Sequence, residues 1–489
     1  MNRRSKPTKR RGVGRQKSRT NPRREARFGE ANVCFQRGDL DSAARLCANL
    51  LEKAPHAGAA HLLGHIAHAR GDIATAEQLF RQSVAADPNF STGHAALGVA
   101  LQQLGRPADA VEHYRAALKH QPEDVQTLYN LGTAHKAAHD LHSAETAYAR
   151  AAALAPHDPD NLAALGRTQI ELGKLGDATD TYAELLERFP NAGPDVLESF
   201  AFCAVRSERA EEAERALKHA AHAFPDHIGL DIMRVCAHLA LGEPDAAMPT
   251  IESIRARAPS EPQTLANLAL AAGALDDRAL AASLYDFDHL LHTGPLVDDA
   301  SALGPEFDHI AALNQALIAH IENHPTLAFE QHSLSCHFGA TSNELLVPPF
   351  GPVETLRRLL RERFDQYIAH LPAGALRDAE PRDQELSAWA TILQSQGHQG
   401  GHIHPSAWLS GVYYVSLPDS VKSEDDEQGW IEFGQPPIHY RLPEAKIRRR
   451  IRPVEGHLCL FPSYFYHQTV PFEGQSPRVS IAFDLRARR

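Results

Sequence analysis

Residues 91–124 read STGHAALGVALQQLGRPADAVEHYRAALKHQPED, and the spacing of the glycine, alanine, aromatic residue and proline in this stretch recurs along the first half of the chain. Four columns of residues repeat every 34 positions. Their members are Gly64, Gly98, Gly132 and Gly166; Ala76, Ala110, Ala144 and Ala178; Phe80, Tyr114, Tyr148 and Tyr182; and Pro88, Pro122, Pro156 and Pro190. Four columns that share one period indicate a repeated structural unit.

Each unit is predicted to consist of two helices. A glycine lets the backbones of the paired helices approach closely, because it has no Cβ atom. The small alanine is expected at the crossing point of the pair, and the aromatic ring is expected to fill the gap to the next unit. The proline ends the second helix, because it lacks an N–H donor and crowds the preceding turn.

These columns resemble the tetratricopeptide repeat family, whose units have the same period. The resemblance is strong over 57–192 and continues in weaker form, since Phe200 stands in the glycine column. We predict about seven units over 25–261 and capping helices up to residue 292, so that the repeat domain spans 25–292. The family implies a superhelix whose concave groove binds a peptide or protein partner. The alternative is a rigid spacer or a dimerisation element.

The charge of the chain is distributed unevenly. Residues 1–28 hold twelve basic residues and one acidic residue, whereas the whole chain of 489 residues has a net charge of −11. The remaining 461 residues therefore carry −22, which excludes a generally basic nucleic-acid-binding protein. Residues 1–24 are predicted to form a disordered basic tail. The tail either contacts nucleic acid through counterion release or stays solvated beside the acidic body, and we favour the second.

Composition also bears on the compartment. The sequence has no apolar run of the roughly 18–20 residues that a membrane span needs, and its start lacks the apolar region of a secretory signal. Its six cysteines are scattered and form no CxxC pair. These features predict a cytoplasmic protein that has no membrane contact and no disulfide framework.

Beyond residue 292 the repeat period stops. Residues 293–385 are predicted to be a helical linker and the first part of a second domain, with helices near 306–323 and Pro352–Leu371. Over 386–489 the pattern changes to short apolar or alternating runs, which read LSAWATIL, WLSGVYYVSL, WIEFG, HLCLFP and RVSIAF. Many short strands divided by turn residues predict a sandwich or barrel. The fold class is therefore multidomain α + β.

Histidines and one arginine within this strand region suggest chemistry. In GGHIHPSAWLSGVYYVSLP, His402 and His404 would project from the same face if the segment is a strand, which suits two ligands of one metal ion. This pair alone is a weak signal in a chain with 29 histidines. His467 follows another strand, and Arg478 and Ser480 share one face of the last strand. A guanidinium beside a hydroxyl suits a carboxylate, so the pattern predicts a metal site next to an anion site.

Four segments carry a second resemblance. In chain order they are HIHPSAWLSGVYYVSLP, GWIEFGQPP, GHLCLFPSYFYHQTVPF and PRVSIAFD. Together they resemble the C-terminal double-stranded β-helix, or jelly roll, of the 2-oxoglutarate- and Fe(II)-dependent oxygenases. They are most similar to a bacterial branch that is often fused to tetratricopeptide repeats.

The resemblance implies a role for each matching residue. His402 corresponds to the first histidine ligand, on the second core strand, and His467 corresponds to the distal histidine ligand. Arg478 corresponds to the residue that pairs with the distal carboxylate of 2-oxoglutarate, with Ser480 assisting. His404 departs from the family, because most members have aspartate there. Either three histidines hold Fe(II) or His404 stands apart from the metal, and we favour the first.

Other residues near this site are less determined. Tyr414 is a candidate to hydrogen-bond 2-oxoglutarate, and the alternative is that it packs in the core. His439 is expected to face solvent. No catalytic residue beyond the metal ligands is predicted.

The resemblance implies a 2-oxoglutarate- and Fe(II)-dependent dioxygenase that hydroxylates its substrate and consumes O2 and 2-oxoglutarate. The repeats would recruit a peptide or protein as that substrate. One alternative is a binding scaffold whose barrel lost activity together with the aspartate. Another is a three-histidine oxygenase that does not use 2-oxoglutarate, but Arg478 and Ser480 argue against it, because such a reaction needs no second carboxylate site.

Overall fold

The structure is a computed structural model that describes residues 22–329, 336–348, 350–423 and 426–488. The chain divides into two compact units, Met1–Pro156 and His157–Arg489. The predicted basic tail lies outside the described residues up to residue 21. The first helix begins at Pro22, so residues 22–24 are helical, although the prediction placed them in the tail. Arg24 anchors this start by donating to the carbonyl of Ala54 at 2.8 Å.

Helices fill the described chain up to residue 290, which confirms the predicted tetratricopeptide-like architecture. In chain order they are α1 Pro22–Gln36, α2 Leu40–Leu51, α3 Ala57–Ala69, α4 Ile73–Ala86, α5 Ser91–Gln103, α6 Pro107–Leu118, α7 Val125–Ala137, α8 Leu141–Leu154, α9 Pro159–Glu171, α10 Leu175–Arg188, α11 Pro194–Arg206, α12 Ala210–Ala223, α13 Ile228–Leu241, α14 Pro244–Arg257, α15 Pro262–Ala274, α16 Arg278–Leu284 and α17 Phe287–Leu290. Several begin at an aspartate whose side chain accepts a backbone N–H of the first turn, as Asp72 does at α4 and Asp140 at α8.

The glycine column has a different partner from the one expected. A Cβ atom at Gly64 would lie 2.4 Å from the ring of Phe80, and one at Gly132 would lie 2.8 Å from the ring of Tyr148. Each ring therefore packs on the glycine of its own helix pair. The regular spacing of glycine and aromatic residue reflects this ring-on-glycine contact, which fixes how closely the two helices of a pair approach.

The remaining described elements form the strand-rich part of the second unit. In chain order they are β1 His292–Pro295, a 3₁₀ helix at Ala300–Leu303, α18 Ile310–Glu322, β2 Ala328–Phe329, β3 Cys336–Thr341, α19 Pro352–His370, α20 Ala375–Asp378, β4 Gln384–Gln399, β5 Leu409–Ser416, α21 Asp419–Lys422, β6 Ile431–Phe433, β7 Arg449–Ile451, β8 His457–Pro462, β9 His467–Thr469 and β10 Arg478–Ala487. The two predicted helices are present, and HLCLFP coincides with β8.

Two antiparallel sheets are built from these strands. The larger has the order β1-β8-β5-β10-β4-β3-β2, and the smaller has the order β7-β6-β9. Strands β1, β2 and β3 come from the region that the sequence assigned to the linker and the start of the domain. Two sheets of this kind are what the predicted sandwich or barrel requires.

The two faces of the larger sheet differ in chemistry. On one face, Phe483 of β10 packs edge-on against Phe364 of α19, with ring centroids 5.5 Å apart. Tyr413 of β5 points to this face and donates to Asn314 of α18 at 2.6 Å. Because side chains alternate along a strand, residues of the opposite parity line the other face. That second face carries the polar groups of the candidate site.

Two properties of the described chain bear on its environment. The six cysteines are free thiols, and five of them are buried. Burial raises the pKa of the Cys47 thiol to about 11, so this thiol stays protonated at neutral pH. No helix of the described residues is both long enough and apolar enough to cross a membrane.

Candidate metal centre

Three histidines, His402, His404 and His467, come together beside β9, an edge strand of the smaller sheet. His467 is the first residue of β9, whereas His402 and His404 lie in the segment between β4 and β5. The expectation that His402 and His404 occupy a core strand is therefore wrong. The glycines before His402 and Pro405 after His404 do not sustain a strand ladder. An isolated β-bridge holds the segment in place. In this bridge the backbones of His402 and His467 exchange two hydrogen bonds, of 3.1 and 3.0 Å.

The imidazole rings converge in spite of this local irregularity. The ring centroids lie 4.4 Å apart for His402 and His467, 5.3 Å for His402 and His404, and 5.2 Å for His404 and His467. One nitrogen of each ring lies within 4.8 Å of the others. Within the described ranges, no other set of three or more histidine, cysteine or carboxylate side chains meets in this way.

Hydrogen bonds to the Nδ1 atoms orient the three rings. Nδ1 of His402 lies 2.8 Å from the carbonyl of Gly400, and Nδ1 of His467 lies 2.9 Å from the carbonyl of Phe465. Nδ1 of His404 lies 2.6 Å from a carboxylate oxygen of Asp484. An acceptor beside Nδ1 places the proton on that nitrogen, so the lone pair of each ring is on Nε2. The three rings therefore offer the nitrogen that a metal ion would bind.

Asp484 is a functional candidate that the sequence reasoning missed. Its side chain is buried, and it accepts a hydrogen bond of 2.7 Å from Ser410 as well as the one from His404. A carboxylate behind a histidine fixes the ring and raises its basicity toward a metal. Asp484 has the same parity on β10 as Arg478 and Ser480, and this parity is the sequence signal that could have identified it. Most members of the oxygenase family have a carboxylate at the position of His404. In this chain the carboxylate of Asp484 lies next to that position and is hydrogen-bonded to His404.

The buried setting keeps two of these histidines neutral. Burial, reinforced by the neighbouring His404, lowers the pKa of His402 to about 4. Burial and the two other imidazoles hold the pKa of His467 well below its usual value. A neutral imidazole is the form that coordinates a metal, so the site is ready for one at neutral pH.

A buried cation lies on the polar face of the larger sheet. The Arg478 side chain is 2 % exposed, and its Nη1 donates to Ser480 at 3.2 Å. Its guanidinium carbon lies 5.2 Å from the ring centre of Tyr414. Burial lowers the pKa of Arg478. No carboxylate pairs with this guanidinium among the described residues, and its Nε–H is buried without a hydrogen-bond partner there. An unpaired buried cation is costly, which indicates a site built to receive an anion.

A row of hydroxyl groups continues from this arginine. Ser480 stands opposite Tyr414 on one side and Thr391 of β4 on the other. Thr391 is in turn opposite Thr341 of β3. Directly paired residues project to the same face of a sheet. The hydroxyls of Thr391 and Thr341 are buried and have no partner in the described part of the chain, so the row offers free donors beside Arg478. Sequence reasoning identified neither threonine.

A cavity of about 180 Å³ opens beside His402. The strand-rich part contributes His439, among others, which corrects the expectation that His439 faces solvent. Burial, followed by the charge of Arg206, lowers the pKa of His439 to about 3. Helices α11, α13 and α15 of the repeats supply the facing wall, and Gln263 of α15 donates to the hydroxyl of Tyr466 at 2.9 Å.

Comparison with known families agrees with this geometry. Residues 387–484 match the family described as "Putative 2OG-Fe(II) oxygenase". Residues 35–101, 95–159 and 135–198 match models of the tetratricopeptide repeat. A curated relative, the "Cellulose synthase operon protein C" of Xanthomonas axonopodis pv. citri (strain 306), is 45% identical over 65 residues. That alignment covers 13% of this chain and 4% of the relative, so the chain spans a small part of it.

Solved structures are similar to the repeats at low overall scores. MamA from Desulfovibrio magneticus RS-1 is 18% identical, with 34% of this chain and 96% of that chain covered and a TM-score of 0.32. YrrB, titled a tetratricopeptide repeat protein with an unusual peptide-binding site, is 19% identical, with 38% and 96% covered and a TM-score of 0.35. On the family matches, the chain has tetratricopeptide repeats followed by a C-terminal region that matches the putative 2OG-Fe(II) oxygenase domain.

Proposed function

We propose that the protein is a 2-oxoglutarate- and Fe(II)-dependent dioxygenase that hydroxylates a peptide or protein. One observation supports this proposal most directly. Each of the three clustered histidines has an acceptor at Nδ1, which leaves three Nε2 lone pairs for one metal ion. A structural role for three adjacent imidazoles would not require this common orientation.

The donor set fits Fe(II). His402, His404 and His467 would hold the ion, and imidazole nitrogen is a ligand that suits iron. Asp484 would offset part of the ion's charge through its hydrogen bond with His404. Bound Fe(II), supplied with 2-oxoglutarate and O2, provides the oxidising chemistry that converts a substrate C–H bond to C–OH and releases succinate and CO2. The chain's own residues would bind the ion, orient the substrates and exclude water from the site.

The anion site fits 2-oxoglutarate. Arg478 would pair with the distal carboxylate, because its guanidinium is buried and lacks a carboxylate partner within the described chain. Ser480 and Thr391 would donate hydrogen bonds to the same carboxylate, and the ring of Tyr414 would form one wall of the site. A charge-assisted pair in a buried site is stronger than the same pair in water. This second carboxylate site favours an oxygenase that uses 2-oxoglutarate over one that does not.

The repeats support a macromolecular substrate. Stacked helix pairs present extended surfaces that commonly bind peptides. In the second unit the repeat helices contact the segment that leads into His467, since Gln263 of α15 donates to the hydroxyl of Tyr466 at 2.9 Å. The repeats would therefore bind the substrate next to the metal centre that hydroxylates it. Contact of the basic tail with nucleic acid stays a separate prediction, and we do not include it in this function.

The test is anaerobic reconstitution with Fe(II), followed by addition of O2 with and without 2-oxoglutarate. Succinate and oxygen consumption are measured for the wild type and for His402→Ala, His404→Ala and Arg478→Met. We expect succinate from the wild type only when 2-oxoglutarate is present. Both His402→Ala and His404→Ala should abolish it, and Arg478→Met should raise the 2-oxoglutarate concentration required.

Three results would count against the proposal. Absence of succinate from protein that has bound one equivalent of Fe(II) would favour the scaffold alternative. Oxygen consumption that does not depend on 2-oxoglutarate would favour the other alternative, a three-histidine oxygenase of a different class. Full succinate formation by His404→Ala would remove that histidine from the ligand set.

A further inference from the structure

The cavity beside His402 has a wall made of repeat helices. The repeat residues that line it are Phe202, Val205 and Arg206 of α11, Met233 and Cys236 of α13, and Gln263 of α15. The facing wall comes from the segment that carries His402 and from the loop around His439. The repeats therefore form part of the candidate active site itself, in addition to any groove elsewhere.

The charge of this cavity contrasts with that of the chain. The chain has a net charge of −11, yet none of the fourteen lining residues is an aspartate or glutamate. Arg206 is the single lysine or arginine among these residues. A cavity with one positively charged side chain and no negatively charged one favours an anionic ligand.

The guanidinium of Arg206 is free to pair with an anionic ligand. Its guanidinium carbon lies 5.4 Å from the ring centre of Phe202. In the described part of the chain no carboxylate lies within ion-pair distance of it. Nearby arginines of the repeats are neutralised, since Arg209 pairs with Glu212 at 2.8 Å and Arg234 pairs with Asp231 at 3.4 Å. Arg206 is thus an exposed cation that is held in place by an aromatic ring and left without a counter-charge.

The size and lining of the cavity limit what enters it. An apolar cavity of about 150 Å³ holds a molecule the size of benzene, so a volume of about 180 Å³ admits one amino-acid side chain and excludes a folded element. Phe202, Met233 and Tyr466 provide apolar surface for the carbon atoms of that side chain. The polar end would lie near Arg206.

We propose that this cavity receives a side chain of an acidic peptide, and that Arg206 of the repeats selects the substrate by pairing with a carboxylate on or next to that side chain. The inference rests on the proposed function, because it names the substrate class of the same site. It assigns to Arg206 a specificity role that comes from the repeat domain. Arg206 binds the substrate and takes no part in holding the metal.

The test measures peptide binding to the metal-free, full-length protein, so its result does not depend on turnover. The probes are two fluorescein-labelled nonapeptide pools with random flanks, one with aspartate or glutamate at the central three positions and one with asparagine or glutamine there. We expect the acidic pool to bind about tenfold more tightly, which is typical of one charge-assisted contact. Arg206→Gln should remove this difference, and Arg206→Glu should reverse it.

Arg255→Gln is the matched control, because Arg255 is an exposed arginine of a repeat helix, α14, that does not line the cavity. It should bind both pools like the wild type. Equal binding of both pools by the wild type, absence of saturable binding, or an unchanged preference in Arg206→Gln would overturn the inference. Equal affinity for a single blocked aspartate and for the acidic peptides would overturn the choice of a peptide. None of these results would bear on succinate formation, so failure of this inference is distinct from failure of the proposed function.

Discussion

Replacement of Asp484 by asparagine tests whether the carboxylate behind His404 supports the metal centre. In the wild type, one oxygen of Asp484 lies 2.6 Å from Nδ1 of His404 and accepts from Ser410 at 2.7 Å. Asparagine has nearly the same shape, but it is uncharged and its NH₂ group can face Nδ1. That orientation favours the ring tautomer with the proton on Nε2. A protonated Nε2 has no lone pair left for a metal ion.

The expected effect follows from the hydrogen bond that changes. A hydrogen bond to a charged group contributes about 1.5–3 kcal/mol and a neutral one about 0.5–1.5 kcal/mol. Loss of the charge alone would thus cost about 1–1.5 kcal/mol, which is roughly a fivefold to tenfold loss of affinity for Fe(II). The change of tautomer adds to this cost. We expect Asp484→Asn to bind Fe(II) about tenfold to a hundredfold more weakly, the range typical of partners behind a metal-bound histidine.

The assay is anaerobic competition for Fe(II) against a chromogenic chelator. It is repeated with Co(II), whose visible spectrum reports the number and type of ligands. Glu344→Gln is the control, because Glu344 is a half-buried carboxylate beside the larger sheet, where it accepts from the N–H of Ala388 of β4 at 3.0 Å. The control should change stability and leave the affinity for Fe(II) at the wild-type value.

Two outcomes would refute the reasoning. If Asp484→Asn binds Fe(II) like the wild type while His404→Ala binds weakly, His404 is a ligand that needs no carboxylate behind it. If both variants keep the wild-type affinity and the wild-type Co(II) spectrum, His404 is not a ligand at all. In that case only two histidines hold the ion.

Three further predictions concern packing, co-substrate binding and pH. Gly132→Ala should destabilise the first unit by about 1–3 kcal/mol through overpacking against a tyrosine ring 2.8 Å from the new methyl group, whereas Gly176→Ala, which meets no atom within 4 Å, should stabilise its helix; thermal melting of the two variants distinguishes these effects. Thr391→Val should weaken 2-oxoglutarate binding about fivefold, as expected for one lost hydrogen bond, without lowering the melting temperature of the ligand-free protein, because a buried and unpartnered hydroxyl is removed; calorimetric titration that finds unchanged affinity would exclude Thr391 from the site. Burial, reinforced by the neighbouring His65, lowers the pKa of His61 to about 4, so the native state holds this ring neutral while the unfolded chain protonates it below about 6.5. The stability that depends on this ring is therefore full above pH 6.5 and is lost as the pH falls to 4, by about 3 kcal/mol, and hydrogen-exchange protection of α3 should decline less over this range in His61→Gln than in the wild type.

The helical repeats were predictable because their information is local. Each glycine and its aromatic partner belong to one helix pair, as with Gly98 and Tyr114, and the contact recurs with the period of the sequence. What the period could not reveal was the direction in which each ring packs. The rings cover the glycine of their own pair, and this is decided by the approach of the two helices, which the sequence does not encode as a distance.

The metal ligands were identified from a resemblance and from strand parity, and the parity argument was wrong in detail. His402 and His404 do not lie in a strand, yet their rings converge. Convergence comes from backbone bonds to His467 and Ser463, which belong to a distant part of the chain beyond β8. Whether His404 is a ligand stays a proposal, but the position of its Nδ1 beside Asp484 supplies a reason for it that sequence alone did not contain.

The helical repeats, the strand-rich second part and the position of Arg478 and Ser480 on one strand face follow from local sequence patterns, because period and parity act over short stretches of chain. Which distant groups meet depends on the packing of the folded chain. It brought Asp484 to His404, aligned Thr391 with Ser480 across two strands, and placed Arg206 of a repeat helix at the cavity beside His402. These contacts join residues that are far apart in the chain, and no local pattern records such a pairing, since it depends on how sheets and helices pack.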